Sequence, residues 1–204
     1  MILQIRGVNG SGKSTLVRNW MHQSKIKWVK RYTHGRSKPW YYSDPDGKIA
    51  VLGHYEGLDC GGCDTLSGGA NVAVALVHQI PYAHPGIRHI ICEGILLSED
   101  ERWTTELHQI CTGETENNSP LKGNEVRVMF IRASCQWCVD NVFRRQRNKN
   151  KRTGKNREIK FNVPKLERRY EYLERTYHKL VRNGVPTWYA RPSMIAQCMN
   201  DWLV

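Results

Sequence analysis

The sequence predicts an α/β fold, a parallel central sheet with helices on both faces. Short apolar runs alternate with longer stretches of helical periodicity along the whole chain, and a glycine-rich turn joins the first apolar run to the first helical stretch. The chain's 204 residues, 40% apolar and 25% charged, suit a single globular domain over residues 1–204.

Ile2 to Ile5 read as the first strand, the turn follows, and Lys13 to Met21 carry helix formers with apolar residues at helical spacing. Lys27–Tyr32 and Trp40–Tyr42 read as short strands. Ser43-Asp44-Pro45-Asp46-Gly47 is a turn signal that folds the second of them back onto Lys48–His54 as an added β-hairpin. Asn71–Ile80 has helical composition, and Arg88–Cys92 is a compact apolar strand ending at Glu93-Gly94. Thr104–Cys111 reads as a helix, and Gly113–Asn124 is a polar loop. Glu125–Ile131 is a strand that leads into a helix from about Cys135 to Arg147. Pro164–Arg182 reads as a long helix, Thr187–Ala190 as the last strand and Ser193–Trp202 as the last helix.

The turn after the first strand, Gly7-Val8-Asn9-Gly10-Ser11-Gly12-Lys13-Ser14, satisfies GxxxxGK[ST] in full. Its glycines let successive backbone N–H groups converge on phosphate oxygens, and the following helix presents its positive end to the same anion. The expected roles are Gly7, Asn9, Gly10, Ser11 and Gly12 as the cradle, Lys13 on the β and γ phosphates, and the Ser14 hydroxyl on Mg²⁺, with Thr15 in support. ATP and Mg²⁺ are the cofactors this implies. In its strand–turn–helix setting the motif predicts a P-loop NTPase three-layer sandwich. Glu93, closing an apolar strand, is the acid expected beside the magnesium.

The formal net charge is +12, which favours a polyanionic partner over free metabolites. Nine Lys/Arg residues against the single acid Glu158 lie between Arg144 and Lys160. This segment, 144–160, reads as a basic lid. Arg144, Arg145 and Arg147, close to the helical part, are candidates for neutralising the transferring phosphoryl group. Lys149 to Lys160 read as a flexible strip able to follow a nucleic-acid backbone. A solvated charged face is the competing reading.

Seven cysteines without an export signal suggest free thiols in a reducing compartment. Cys60-Gly61-Gly62-Cys63 and Cys135-Gln136-Trp137-Cys138 have zinc-like spacing, but the second pair falls inside a predicted amphipathic helix, where Cys138 is better explained as core. Gly61-Gly62 reads as a tight loop at the mouth of the site. Flanking it, Asp64 and Asp59 are the candidate general bases for an alcohol acceptor, with Glu56 third. Arg36, Lys38 and Tyr41, in the cation–aromatic run Arg36-Ser37-Lys38-Pro39-Trp40-Tyr41-Tyr42, suit phosphate contact and base stacking, with cross-strand packing as the alternative. Arg191, after the final strand, is placed to border the adenine.

The cradle, the stretch Cys92-Glu93-Gly94-Ile95-Leu96-Leu97 and the arginine lid resemble the nucleoside, nucleotide and polynucleotide kinase group. The runs Met1–Gly7 with Gly10–Thr15, Lys38-Pro39 with Tyr41-Tyr42, and Leu52–Glu56 with Cys60–Thr65 resemble bacteriophage P-loop kinases associated with thymine hypermodification. That resemblance implies transfer of the γ-phosphoryl group of ATP to the hydroxymethyl of 5-hydroxymethyluracil in DNA, in the host cell cytoplasm. The alternatives are a polynucleotide 5′-kinase, a kinase for free nucleosides or nucleotides, and a DNA-binding NTPase. No stretch reaches the roughly 18 apolar residues that span a bilayer, so no membrane association is expected. The sequence does not specify an oligomeric state.

Overall fold

The computed structural model describes residues 1–32, 37–56, 61–94, 101–115, 118–154 and 162–202. Seven strands form one sheet: β1 (Ile2–Arg6), β2 (Val29–Arg31), β3 (Tyr41–Ser43), β4 (Ile49–Leu52), β5 (His89–Glu93), β6 (Val126–Ile131) and β7 (Thr187–Ala190). Their spatial order is β2-β3-β4-β5-β1-β6-β7. From β4 to β7 the pairings are parallel, whereas β2, β3 and β4 pair antiparallel at one edge. The expected hairpin is therefore present, with β3 and β4 as its arms, and it extends the parallel sheet rather than standing apart from it.

The described helices are α1 (Lys13–Gln23), α2 (Gly69–Ala83), α3 (Arg102–Thr112), α4 (Cys135–Thr153), α5 (Val163–Arg182) and α6 (Pro192–Asn200). Strands in the middle of such a sheet are covered on both faces, so they read as nearly continuous apolar runs. All five residues of β1 and all four of β4 are buried. Successive side chains still point to opposite faces. Leu3, Ile5, Val51, Ile91 and Ile131 pack against Val17, Trp20 and Met21 of α1 and Ile195 and Met199 of α6. Ile2, Leu52, Ile90, Val128 and Phe130 pack against α2, α3, α4 and α5 through Leu76, Leu107, Cys138 and Leu173. These are the three layers.

One polar cluster interrupts the second face. Arg6 is fully buried and donates to Gln4 Oε1 at 3.0 Å and to Thr104 Oγ1 at 2.5 Å. Thr104 in turn donates to Gln4 Oε1 at 2.9 Å, and the guanidinium lies 5.8 Å from the centre of the Phe130 ring. Buried polar groups persist only when partnered. This set joins α3 to the last residue of β1, next to the cradle.

The greatest departure from the sequence reading is in α4. A helix ending near Arg147 was expected, with Lys149 onward flexible, but the helix continues to Thr153 and stops at Gly154, whose φ of 62° is the left-handed conformation that ends helices. Nothing before Gly154 interrupts the helical hydrogen bonding. Lys149, Lys151 and Arg152 are thus on a helix, while residues 155–160, the rest of the expected lid, lie outside the described residues.

Phe130 supports this half of the sheet, with no exposed surface and edge-on contact with Tyr177 of α5 at 5.5 Å. Phe130→Ala is expected to lower the unfolding free energy by about 3–5 kcal/mol, read from urea denaturation. A loss below about 1 kcal/mol would show that α5 does not depend on this contact.

Candidate active site

The strand–turn–helix at the start of the chain delivers the cradle to the carboxyl ends of β1 and its neighbours. Gly10 has a φ of 83°, and a Cβ there would stand 2.2 Å from the Cys138 carbonyl oxygen. A side chain at this position is excluded both by backbone conformation and by the first turn of α4. Lys13 is buried and donates to the carbonyls of Gly7 at 2.8 Å and Val8 at 3.2 Å. Its ammonium is therefore held over the loop where phosphate oxygens would sit. Burial lowers its pKa, and Glu93 and Asp64 oppose that shift.

Glu93 ends β5 and is completely buried. Tyr55 donates its hydroxyl to Oε1 at 3.3 Å, and Oε2 has no hydrogen-bond partner among the described residues. Burial pushes the carboxyl up to about 7, against Lys13 and the Ser14 hydroxyl, which favour the ionised form. Gly62 closes this pocket: its φ is 70°, and a Cβ would come within 2.1 Å of Glu93 Oε1. At Gly61 a Cβ would meet the Tyr55 ring at 2.9 Å and Ser14 Cβ at 3.1 Å. The Gly-Gly pair therefore lets backbone lie directly against Glu93, Tyr55 and Ser14. Ser14, Glu93 and Asp64 form an all-oxygen donor set, and a buried carboxylate oxygen lacks a partner. Hard oxygen donors of this kind fit Mg²⁺.

Around the cradle a cleft of about 1390 Å³ is lined by Lys13, Arg18, Arg132, Arg144, Arg145, Lys151 and Arg152, with Asp64 as the one acid among the described lining residues. Asn141 ties its two walls together. The side-chain amide donates to the Gly10 carbonyl at 2.9 Å, and its oxygen accepts from Arg144 Nη2 at 2.7 Å. Arg18 reaches the opposite side, donating to the Tyr55 carbonyl at 3.1 Å.

The structure brings together Asn9, Gly10, Ser11, Gly12, Lys13, Ser14, Thr15, Asp64, Arg144 and Arg145 along this cleft, with Gly7 and Glu93 directly behind it. Arg147 is exposed and does not line it. At 3.6 residues per turn the inward positions of α4 are Asn141, Arg144, Arg145, Asn148, Lys151 and Arg152. Arg147 falls between them. Arg191 caps α6 from an exposed position, and it is the next residue, Pro192, that lines the cleft. Lys38 is exposed and away from the cleft. Tyr41 is hydrogen-bonded to His84 Nε2 at 3.1 Å, also away from it. Glu56 is paired with Lys30 and His54, which holds its carboxyl below the usual range. Asp59, Arg36 and Cys60 lie outside the described residues. Cys63 and Cys138 are buried in the core, and no group of three or more His, Cys, Asp or Glu able to hold a metal occurs among the described residues.

Arg18, Arg132, Trp137 and Asn141 line the cleft without having been singled out in the sequence, and Lys151 and Arg152, expected on a flexible strip, line it from α4. Arg18 could have been found at four residues from Ser14, on the same helix face. The α4 residues were readable from their period once the helix was run to Gly154.

The fold and cradle define a nucleotide-binding protein of the P-loop class, and its similarity to proteins named as kinases makes it a phosphotransferase. The chain is 29% identical over 189 residues, 91% of its length and 87% of the relative's, to a protein named 5-hmdU DNA kinase from Pseudomonas phage PaMx11. It is 24% identical over 207 residues, 98% of this chain and 71% of the relative, to a protein of the same name from Delftia phage PhiW-14. No protein-family model matches. Among solved structures, a deoxyadenosine kinase from M. mycoides with dCMP and dCDP bound aligns over 99% of this chain and 98% of its own, with a TM-score of 0.45 and 16% identity. The same enzyme with dATP bound aligns over 100% of both chains at a TM-score of 0.35 and 13% identity. No described helix is long and apolar enough to cross a membrane.

Two tests follow from this geometry. Asn141→Ala removes the anchor of Arg144 as well as the Gly10 contact. Asn141→Ala and Arg144→Ala are therefore expected to be non-additive by about 0.5–3 kcal/mol in kcat/KM, and additivity within about 0.3 kcal/mol would show that they act independently.

The second test concerns Glu93. Its folded-state pKa lies above the unfolded value of 4.5, so its contribution to stability is complete below about pH 4.5 and is lost as pH rises through about 7. In nucleotide- and metal-free protein, the melting temperature of the wild type is expected to fall relative to Glu93→Gln between pH 5 and 8. Parallel curves would show that Glu93 does not titrate in this range.

Proposed function

We propose that the protein transfers the γ-phosphoryl group of ATP to the hydroxymethyl group of 5-hydroxymethyluracil in DNA, acting in the cytoplasm of a phage-infected cell. The observation that carries this reading is the cleft itself. It joins the donor cradle to Asp64, with Glu93 behind it, on one side and to a wall of cations on the other. Its volume of about 1390 Å³ exceeds the roughly 300–1,000 Å³ usual for a small-molecule site. The cationic lining suits a polyanion, and the similarity to two phage proteins named 5-hmdU DNA kinase supplies the acceptor chemistry. Residues 1–204 work as one catalytic domain in this reading, with α4 as the basic lid.

Ser14 and Glu93, with Asp64 beside them, would hold Mg²⁺, which when bound neutralises charge on the β and γ phosphates. Lys13 contacts the same oxygens. Asp64, against Gly94 in the turn after β4, accepts the proton of the acceptor hydroxyl. That oxygen forms its bond to the γ phosphorus while the bond from phosphorus to the β–γ bridging oxygen breaks. ADP leaves with that electron pair, and Arg144 and Arg145 stabilise the charge in transit. A base within duplex DNA would leave the stack to reach this point.

Incubation with γ-labelled ATP and 5′-blocked DNA containing 5-hydroxymethyluracil is expected to label the base, and matched thymine DNA to stay unlabelled. Equal labelling of both, label only on unblocked 5′ ends, label on free nucleosides, or release of phosphate without transfer would each overturn the reading. Asp64→Asn is expected to lower kcat by about a hundredfold or more, and an unchanged kcat would remove Asp64 as the base.

A further inference from the structure

We infer that the nucleobase of the phosphoryl donor lies on the indole of Trp137 and is held there by stacking, so that the site accepts adenine and guanine alike. The inference rests on the kinase reading above. It begins from strand order. The cradle follows β1, with β4 and β5 on one flank and β6 and β7 on the other. Glu93 ends β5 and Asp64 follows β4, so the acceptor side lies on the first flank. In-line transfer places the leaving group opposite the attacking oxygen. The donor's nucleoside therefore extends over the β6–β7 flank.

On that flank the cleft is lined by Ile131 of β6, Ala133 in the connection that follows, Trp137 of α4, and Pro192 after β7. Trp137 is the sole aromatic among the described lining residues, and 54% of its surface is exposed, whereas Trp20 is 2% exposed. The helix that carries it is fixed against the cradle: the Trp137 backbone N–H donates to Ser134 Oγ at 3.2 Å, and four residues on, the Asn141 side chain donates to the Gly10 carbonyl. That separation is about 6 Å along the helix. A flat, half-exposed ring beside apolar side chains covers a base by its face, and every base has a π-face. Arg132, the charged neighbour on this flank, can donate to N7, which both purines carry.

Binding of Mg²⁺ complexes of ATP, GTP and inorganic tripolyphosphate, measured by calorimetry without acceptor, separates this inference from the identity of the acceptor. The wild type is expected to bind ATP and GTP within about threefold of each other. Trp137→Ala should weaken both by about tenfold or more and leave tripolyphosphate unchanged, with Trp137→Phe retaining most of the affinity. Equal weakening of tripolyphosphate, unchanged ATP affinity in Trp137→Ala, or a preference above tenfold for one purine would overturn it. These outcomes stand whether or not DNA becomes labelled.

Discussion

A carboxylate buried without a partner costs several kcal/mol, and the arrangement around Glu93 offsets part of that cost. Lys13 and the Ser14 hydroxyl lie beside it, and Tyr55 donates to one of its oxygens. The consequences run outward from there. Backbone must close over the acid with no side chain, which is the place of Gly62, and Gly61 must fit between Ser14 and Tyr55. Tyr55 must itself be held. Its N–H donates to the Tyr42 hydroxyl at 3.3 Å, and its carbonyl accepts from Arg18. The antiparallel edge of the sheet thus supports the acid through Tyr42 of β3.

The opposite wall depends on one rigid helix. α4 starts at the end of β6, is capped by Ser134, and meets the cradle through Asn141 and through the close approach of Gly10 to Cys138. Because it continues unbroken to Thr153, Arg144, Arg145, Lys151 and Arg152 share one face rather than forming a loose strip. Like charges crowded this way repel one another, and an anion bound among them relieves that repulsion. The +12 net charge is thus partly organised at the site where phosphoryl transfer would take place.

The sequence by itself determined the strand, turn and helix at the start of the chain. A glycine-rich turn between an apolar strand and a helix is a local structure, because its geometry depends on residues within about fifteen positions of one another. The alternation of apolar runs similarly implied a parallel sheet with an added hairpin, and the period of each run placed its strand or helix close to where it lies. Glu93 was legible for the same reason, as an acid ending a buried strand.

Tertiary structure decided what crosses between elements. That Tyr41 engages His84, that Arg147 faces away while Arg152 faces inward, and that Asn141 bonds Gly10 across 131 residues all depend on how α4 and the hairpin are placed against β1. No local pattern encodes that placement. It is set by which apolar faces pack together, and a polar side chain acquires its role only after its helix has been docked. The end of α4 lies between the two cases, since Gly154 was visible in the sequence while the dense positive charge before it resembled a solvated strip.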